Sequence, residues 1–330
     1  MAKKIVVIGS NSFSGSDFID LLLEDPENDV TGLSRSPEKS PLFLSYRRHK
    51  SPKFSFHQLD LNNDMDEIIT ILDAIKPEYI VNFAAQSEVT PSWEYPGQWF
   101  QTNAVALAEL CNHLKSASYL KRYVHISTPE VYGTCRGYIK EDAPLNPSTP
   151  YAASKAAADL FLFTLVKNYK FQMAMVRSTN VYGPHQQLHK IIPRSIISIK
   201  NRKTIHLHGG GTAVKSYIHI RDISRGELAA MEQGKQGSIY HLAPDHGVTI
   251  RDLVRMIAEK MGVVFEKVTR VVGERLGQDA AYLLDASRAR SELGWKPQIS
   301  LDQGIQDVVS WVEKNWEEIQ NKPLEYVHKR

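Results

Sequence analysis

Disulfide frameworks, membrane spans and a strong net charge are all absent from this sequence. Two cysteines among 330 residues, Cys111 and Cys135, do not make a disulfide scaffold, which favours a reducing, cytoplasmic setting. No apolar run approaches the roughly 20 residues that a membrane-spanning helix needs. A formal net charge of +3 does not indicate a nucleic-acid partner. We therefore expect a globular, cytoplasmic protein with no membrane or nucleic-acid partner.

Histidines are frequent in the second half, but their pattern does not predict a metal site. His185 and His189 are spaced i, i+4, yet they follow Pro184, which disfavours a helix there. A metal site needs several ligands that converge in space. We therefore predict no metal. A local basic stretch, Arg47–Lys53, is either a solvated loop or an aid to binding an anionic cofactor or substrate.

Strands and helices alternate through the first half of the chain. Short apolar runs predict strands at Lys4–Ile8, Asp29–Leu33, Phe54–Gln58, Tyr79–Phe83, Arg122–Ser127 and Met173–Arg177. Longer amphipathic segments predict helices at Ser14–Glu24, Asp64–Ile75, Gln98–Leu114 and Tyr151–Tyr169. Near-continuously apolar strands between helices predict a parallel sheet covered on both faces. The fold class is therefore α/β, a doubly wound Rossmann-type sheet, with ligands at the carboxyl ends of its strands.

The alternation stops near Asn180, where Pro, Gly and His become more frequent. We predict a dinucleotide-binding domain at 1–180 and a smaller mixed α/β substrate domain at 181–330. Segments near 213–243 are expected to return to the first domain, with Ser216–Ile220 as a strand and Arg221–Gln233 as a helix. Leu301–Asn315 predicts a late amphipathic helix.

The predicted helix Tyr151–Tyr169 is apolar around much of its circumference. A helix covered on two sides needs a second partner besides its own core. One such partner is a second subunit, with Gln98–Leu114 as the neighbouring helix in the interface. We therefore expect a homodimer.

The loop after the first strand has the features of a dinucleotide-binding turn. Its residues are Gly9, Ser10, Asn11, Ser12, Phe13, Ser14 and Gly15, and it leads directly into a helix. Gly9 permits the tight turn, Gly15 permits close packing of helix on strand, and the helix N-terminus offers N–H groups to a pyrophosphate. Ser12 takes the place of the middle glycine and is expected to leave its N–H available.

The end of the second strand bears on the choice between NAD and NADP. An NAD site usually has an acid there for the ribose 2′-hydroxyl, but this chain has Ser34 and Arg35. A cation with neighbouring hydroxyls suits a 2′-phosphate, which favours NADP, although NAD held by other contacts stays open. Asp60, after the third strand, is a candidate partner for the adenine amino group.

Tyr151 and Lys155 form a YxxxK pattern, which places both side chains on one helix face. A lysine ammonium beside a phenol lowers the phenol pKa, so that Tyr151 could take a proton from a sugar hydroxyl during hydride transfer. Thr128 lies upstream at the carboxyl end of the fifth strand. This constellation predicts an oxidoreductive centre.

Six motifs together resemble the extended short-chain dehydrogenase/reductases, and within them the nucleotide-sugar 4,6-dehydratases. The motifs are Asn82–Ser87, Ser127–Gly133, Pro150–Lys155, Asn180–Pro184, Lys190–Pro193 and Glu292–Pro297. The resemblance runs over nearly the whole chain. It implies that a nucleotide-diphosphate sugar is oxidised at C4, loses water across C5 and C6, and takes the hydride back at C6.

The resemblance also implies roles for particular residues. Tyr151 would deprotonate the 4-hydroxyl, Thr128 would bind the 4-oxygen, Glu130 would remove the C5 proton, and Lys155 would also bind the nicotinamide ribose. Leu61, Ala84 and Ala85 would line the cofactor site. Substrate contacts would come from Ser87, Asn180 and Lys190, with Lys215 and Arg275 facing the diphosphate.

Pro129 departs from the pattern of the dehydratases. Relatives of the dTDP-glucose type carry Asp at this position as the acid for the leaving 6-hydroxyl, and those of the GDP-mannose type carry Ser. Pro129 has no proton to give, so the acid is another residue, a water or Glu130 itself, or the reaction is not a full 4,6-dehydration. A 4-epimerase, a 5,6-dehydratase and a decarboxylase on the same scaffold stay open as alternatives.

Overall fold

Seven parallel strands form the central sheet of the protein. We describe it from a computed structural model over residues 2–134, 137–273, 283–326 and 328. The strands of the sheet are β1 (Lys3–Ile8), β2 (Asn28–Ser34), β3 (Phe54–Gln58), β4 (Tyr79–Asn82), β5 (Arg122–Ile126), β7 (Met173–Ser178) and β12 (Ser238–Leu242). Their order is β12-β7-β5-β4-β1-β2-β3. Apolar residues pack both faces, as the near-continuous Val and Ile runs predicted.

Helices cover both faces of this sheet and build the second half. They are α1 (Phe13–Leu22), α2 (Met65–Ile75), α3 (Val89–Glu94), α4 (Pro96–Phe100), α5 (Leu107–Leu114), α6 (Pro150–Tyr169), α7 (Ile191–Lys200), α8 (Ile220–Gln233), α9 (Ile250–Lys260), α10 (Phe265–Val268), α11 (Ser287–Leu293), α12 (Leu301–Lys314) and α13 (Trp316–Ile319). The doubly wound α/β prediction is confirmed. Because strand order reverses between β1 and β4, their carboxyl ends open a crevice for a ligand.

Side-chain caps fix where the two site-bearing helices begin. Ser12 caps α1 by accepting from the Gly15 N–H, and Thr149 caps α6 by accepting from the Ala152 N–H. Pro150 takes the first position of α6, where its missing N–H costs nothing. These caps fix the first residues of α1 and α6.

The long helix predicted at Gln98–Leu114 is not a uniform α-helix. Between α4 and α5 lies a π-helical stretch, Gln101–Ala106. Buried Asn103 within it accepts from the Gln86 N–H (2.8 Å) and donates to the Ser154 hydroxyl (2.9 Å). Such π-helical stretches often occur at functional sites. Here the stretch ties the loop after β4 to α6.

Short two-stranded sheets lie outside the central sheet. The pairs are β6 (Tyr138–Ile139) with β15 (Leu283–Leu284), β8 (Asn180–Tyr182) with β11 (Tyr217–His219), β9 (Ile205–His208) with β14 (Thr269–Val272), and β10 (Val214–Lys215) with β13 (Val248–Thr249). The predicted strand Ser216–Ile220 therefore does not return to the central sheet, because it pairs with β8. Within 213–243, β12 is the strand that joins the sheet, and α8 packs on α1.

A hydrophobic cluster in the second half involves α7, α9 and α12. Its buried members include Ile196, Leu253, Ile257, Val308 and Val312. Among the residues that the structure describes, no helix combines the length and apolar character needed to cross a membrane.

Candidate active site

Two glycines let the loop after β1 approach the loop after β4. Gly9 has a φ of +85°, and a Cβ there would lie 2.6 Å from the Ala84 nitrogen. A Cβ at Gly15 would lie 2.5 Å from the Gly9 carbonyl oxygen. Both contacts are shorter than real Cβ contacts, so glycine is required at each position. The N-terminal turn of α1 therefore packs closely against the loop after β1.

The expectation that Ser12 leaves its N–H available is wrong. That N–H donates to the Gly9 carbonyl at 2.9 Å, and the Ser12 hydroxyl accepts from Gly15 at 3.0 Å. Phe13 and Ser14 open α1 directly after it, so the N–H groups that begin the helix lie in this first turn. The serine therefore shapes the loop by closing it on itself.

Asn11 connects the cofactor loop to the segment after β2. Its amide donates to the carbonyls of Ser36 and Pro37 at 2.8 and 2.9 Å, and its own carbonyl accepts from Lys39. Arg35 lies in this segment directly after Ser34. The acid Glu38 is engaged by the Tyr46 hydroxyl (2.9 Å) and by Arg47 (2.8 Å). Arg35 and Lys39 are therefore the cations of the segment after β2, and Glu38, its acid, is already hydrogen-bonded to other side chains.

The remaining predicted cofactor residues follow β3 and β4. The carboxylate of Asp60 accepts from the Asn62 N–H at 3.0 Å within its own turn, and Leu61 is buried in the adjoining hydrophobic cluster. Ala84, whose N–H donates to the Asn82 side chain, and Ala85 come directly after β4. All these residues lie at the carboxyl edge of the sheet, where the fold opens its crevice.

Thr128, Glu130 and Tyr151 converge beside the carboxyl end of β5. Thr128 caps the short 3₁₀ turn Pro129–Tyr132, its hydroxyl accepting from the Glu130 N–H at 3.3 Å. Burial raises the pKa of the Tyr151 phenol, the nearby Glu130 carboxylate raises it further, and a hydrogen bond with Thr128 acts in the opposite direction. These three predicted catalytic side chains therefore share one site.

Lys155 lies one helical turn after Tyr151 and is 2% exposed. Its ammonium donates to the Ile126 carbonyl at 2.8 Å and lies 3.3 Å from His125 Nε2. Burial and the neighbouring carboxylates leave the pKa of Tyr151 raised, so the lowering expected from Lys155 is not seen.

The predicted substrate residues lie in separate groups of contacts. Lys190 donates to Glu88 at 2.7 Å, and His189 Nε2 lies 3.2 Å from the same carboxylate oxygen. Asn180, after β7, donates to the Ser216 carbonyl at 3.0 Å, next to Lys215. Ser87 is exposed after β4. Arg275 lies outside the described residues.

Glu88 is a site residue that was not predicted from the sequence. Burial opposes its ionisation, but His189 and Lys190 outweigh burial and lower the pKa of Glu88 to about 2. Its charge is among those that raise the pKa of Tyr151, which places it near the reactive centre. Tyr326 packs edge-on against His189, with ring centroids 5.5 Å apart. No sequence motif signalled these contacts, which join residues about 100 or more positions apart.

No group of three His, Cys, Asp or Glu side chains converges as a metal site within the described ranges. His185 Nδ1 lies 2.9 Å from the Leu42 carbonyl oxygen, and His189 contacts Glu88. The two histidines with i, i+4 spacing are thus engaged by different partners.

Comparison with known proteins identifies the family. Residues 6–308 match the family model described as GDP-mannose 4,6 dehydratase. The chain is 29% identical to a dTDP-glucose 4,6-dehydratase of Streptomyces antibioticus, over 97% of this chain and 96% of that protein. It is 30% identical, with a TM-score of 0.87, to the solved dTDP-glucose 4,6-dehydratase DesIV of Streptomyces venezuelae with NAD and TYD bound, covering 96% and 98% of the two chains.

Another solved structure shares the fold but carries a different activity in its name. A UDP-glucuronic acid 4-epimerase of Bacillus cereus, bound to UDP-glucuronic acid and NAD, is 25% identical with a TM-score of 0.86, covering 94% of this chain and 99% of that one. Fold alone therefore does not separate dehydration from epimerisation. The match of the family model over most of the chain does assign the family: this chain belongs to the GDP-mannose 4,6 dehydratase family.

Proposed function

We propose that the chain is a nucleotide-sugar 4,6-dehydratase that converts an NDP-hexose to the NDP-4-keto-6-deoxyhexose. The observation that carries this proposal is Glu130, a carboxylate beside the Thr128–Tyr151 pair. Oxidation at C4 needs the phenol but no second base. A carboxylate at the same centre suits proton removal from C5, which becomes acidic once C4 is a ketone.

Each residue of the centre has a defined part in this scheme. Tyr151, as the phenolate, takes the proton from the 4-hydroxyl and becomes the neutral phenol, and Thr128 holds the 4-oxygen. Lys155 keeps a positive charge behind the phenol and binds the nicotinamide ribose. A bound nicotinamide supplies the hydride acceptor for C4 and the hydride donor for C6. Glu130 takes the C5 proton and later returns a solvent-derived proton to C5, so that the net change is loss of one water.

The leaving 6-hydroxyl needs a proton that Pro129 cannot provide. Glu88 is also excluded as the acid, because its pKa of about 2 leaves it ionised at neutral pH. Glu130, once it has taken the C5 proton, is an acid at the right stage of the reaction. We assign the protonation of the leaving group to Glu130.

We infer that NADP is the preferred cofactor. The related dehydratase structures hold NAD. In this chain, however, β2 ends at Ser34 and is followed by Arg35, and Glu38 is already paired with Arg47. Arg35→Ala should weaken NADP⁺ about tenfold and leave NAD⁺ unchanged in equilibrium binding. Equal losses for both cofactors would overturn the preference.

The substrate proposal is a nucleotide-diphosphate sugar. Ser87, Asn180 and Lys190 would contact the substrate, and Lys215 and Arg275 would face the diphosphate, where cations form charge-assisted hydrogen bonds. The division into 1–180 and 181–330 stays a proposal, supported by the hydrophobic cluster of the second half. A cytoplasmic location is proposed from the cysteine content.

A homodimer is proposed from the outer face of α6 and its neighbouring helix. Leu160 is 59% exposed and Val105 43% exposed, although both are apolar. A second subunit would cover such residues. Leu160→Glu should convert a dimer to monomers in light scattering, and an unchanged mass would place the interface elsewhere.

A 4-epimerase is the second candidate, because Pro129 provides no acid for the departure of water. Mass spectrometry with UDP-, dTDP-, GDP- and CDP-sugars in heavy water separates the two. A dehydratase should release one water and retain one solvent deuterium in the product. An isomerised sugar without deuterium would leave the epimerase.

The variant Glu130→Gln can be tested in the same mass-spectrometry experiment. We expect a loss of water elimination of about 10²- to 10⁴-fold, with oxidation at C4 preserved as transient reduction of the cofactor. Full dehydration by this variant would remove Glu130 from the mechanism.

A further inference from the structure

Four fully buried side chains lie directly behind the candidate active site. They are Lys155, Asp159, His125 and Arg177, each at most 2% exposed. Of these, only Lys155 has a role in the reaction scheme. Burying charged groups is costly unless they are paired, so this cluster requires an explanation.

The helix α6 aligns the cluster with the reactive phenol. Tyr151, Lys155 and Asp159 follow one another at four-residue spacing and share one face of the helix. His125, from β5, lies between the last two: its Nε2 is 3.3 Å from Lys155 Nζ and 3.5 Å from Asp159 Oδ1. The carboxylate thus stands one helical turn behind the ammonium.

Asp159 is held ionised by its other neighbours. Its Oδ2 accepts from Arg177, on β7, at 2.7 Å and from the Ser127 hydroxyl at 2.7 Å. Burial acts to raise the pKa of Asp159, but His125, Arg177 and Lys155 outweigh burial and hold it below its usual range.

The charges of the cluster do not cancel. Burial and the Lys155 charge lower the pKa of His125 to about 4, so this ring is neutral at pH 7. Lys155 and Arg177 are the cations and Asp159 is the anion, which leaves one positive charge in excess. Burial also lowers the pKa of Lys155 to about 8, which Asp159 counteracts and Arg177 reinforces. The protonation of Lys155 is therefore finely balanced.

The titratable groups around Arg177 are neutral or ion-paired, so they add no net charge to the cluster. Arg177 donates to the Tyr132 hydroxyl, which contacts His241 Nε2 at 2.7 Å. Burial and Arg177 lower the pKa of His241 to about 3, so it is neutral. Glu141 lies 3.9 Å from Arg288 as an ion pair. Glu130 and Glu88 act on Tyr151 itself.

We propose that Asp159 is a positioning residue for the reaction: its negative charge, with the neutral His125 ring between the two side chains, keeps the Lys155 ammonium charged and directed along α6 toward the phenol. This inference rests on the proposed function, in which Lys155 acts as a cation. Asp159 supplies the single negative charge beside the two cations and so favours the protonated form of Lys155. Arg177 limits how strongly Lys155 retains its proton. The two partners therefore act on Lys155 in opposite directions.

Variants that alter the charge of Asp159 or Arg177 test the proposal, because each should shift the pKa of Lys155 in a stated direction. Asp159→Asn should lower the pKa of Lys155 by about one unit or more, and Arg177→Gln should raise it. The double variant Asp159→Asn with Arg177→Gln restores the excess of one positive charge and should return the pKa near its starting value. A purely structural role would not produce opposite shifts that cancel.

The measurement is an NMR titration of the full chain carrying ¹³Cε-labelled lysine, with the Lys155 signal assigned by its loss in Lys155→Arg. No substrate is needed, so a failure of this test is distinct from a failure to release water from a nucleotide sugar. Shifts in the same direction, or none, would overturn the proposal. Should Asp159→Asn not fold, the rise in Arg177→Gln is the decisive result, and its absence overturns the proposal equally.

The pH dependence of kcat provides the second readout. Because the scheme requires a protonated Lys155, the basic limb of the profile should move to lower pH in Asp159→Asn and to higher pH in Arg177→Gln. KM for the sugar nucleotide should change little, since neither residue is among the predicted substrate contacts. Asp159→Glu, which keeps the charge, should leave the limb near its original place. A changed KM with an unmoved limb would contradict the assignment.

Discussion

Two fully buried carboxyl groups, in two different regions, have opposite surroundings. Asp159, behind the candidate active site, is bonded to Arg177 and Ser127 at 2.7 Å each. Glu227 lies on α8, the helix that packs against α1. Among the residues that the structure describes, neither carboxyl oxygen of Glu227 has a hydrogen-bond partner. Both groups are 0% exposed, so burial alone does not distinguish them.

Their pKa shifts are correspondingly opposite. Burial raises the pKa of Glu227 well above its usual value, and the nearby Asp17 adds to that rise. The same burial is overcome at Asp159 by its partners, which keep its pKa low. The comparison teaches that a buried acid is charged where the fold supplies cations and neutral where it does not. Only the charged one is suited to tuning Lys155.

The largest expected effect on stability comes from removing the charge at Asp159. Asp159→Asn leaves Lys155 and Arg177 as buried cations without a carboxylate and should lower the free energy of unfolding by about 3 kcal/mol. Urea denaturation at pH 7 measures this. The double variant with Arg177→Gln should recover part of the loss, and a loss equal to the sum of the single variants would show that the charges are not coupled.

Glu227→Met tests the other side of the comparison and should be stabilising. Replacing an unpartnered buried carboxyl by an apolar side chain of similar volume should raise the free energy of unfolding by about 1 to 2 kcal/mol at pH 8. The same urea measurement applies. Destabilisation would mean that Glu227 has a partner that it needs.

The pH dependence of stability should separate the two regions by sign. Glu227 has a raised folded-state pKa, so its contribution is complete below about pH 4.3 and is lost as the pH rises toward that folded value, by about 1.4 kcal/mol per unit. Asp159 has a lowered pKa, so its contribution is present above about pH 3.9 and is lost as the pH falls. Between pH 5 and pH 8 the Glu227→Gln variant should therefore lose less stability than the wild type. Identical slopes would contradict the raised pKa.

The smallest expected effect is at an exposed acid on the same helix α8. Glu232 pairs with Lys3 at 2.7 Å, but both side chains are solvent-accessible. Glu232→Gln should change the free energy of unfolding by less than about 1 kcal/mol. It is the control for Glu227, because it removes a carboxylate from α8 without removing a buried one. A change as large as that of Glu227→Met would show that burial is not the cause.

Local sequence was enough to locate much of the sheet and the reactive centre. The strand predicted at Phe54–Gln58 has the observed bounds, and the helix predicted at Tyr151–Tyr169 begins one residue earlier, at Pro150. The four-residue spacing that linked Tyr151 and Lys155 also reaches Asp159. That third position could have been recognised from sequence, because helix geometry alone puts it on the same face.

Other features depended on contacts that are distant in sequence. The strand Tyr217–His219 pairs with β8 instead of joining the central sheet. The sheet that a strand joins depends on its packing against neighbouring strands, and the residue pattern of the strand alone does not specify it. Glu88 meets His189 and Lys190 across about 100 residues. The raised pKa of Tyr151 likewise comes from burial and from neighbouring carboxylates.

Periodicity and helical spacing are local properties of the chain, so the doubly wound sheet, the glycine loop after β1 and the Tyr151–Lys155 face are predictable from sequence alone. The pairing of charges is settled by the three-dimensional fold. It pairs Asp159 with Arg177, places Glu88 beside Lys190 and, among the described residues, leaves the Glu227 carboxyl without a hydrogen-bond partner. The physical reason is that electrostatic energies depend on distance in space and on burial, and neither follows from position in the sequence.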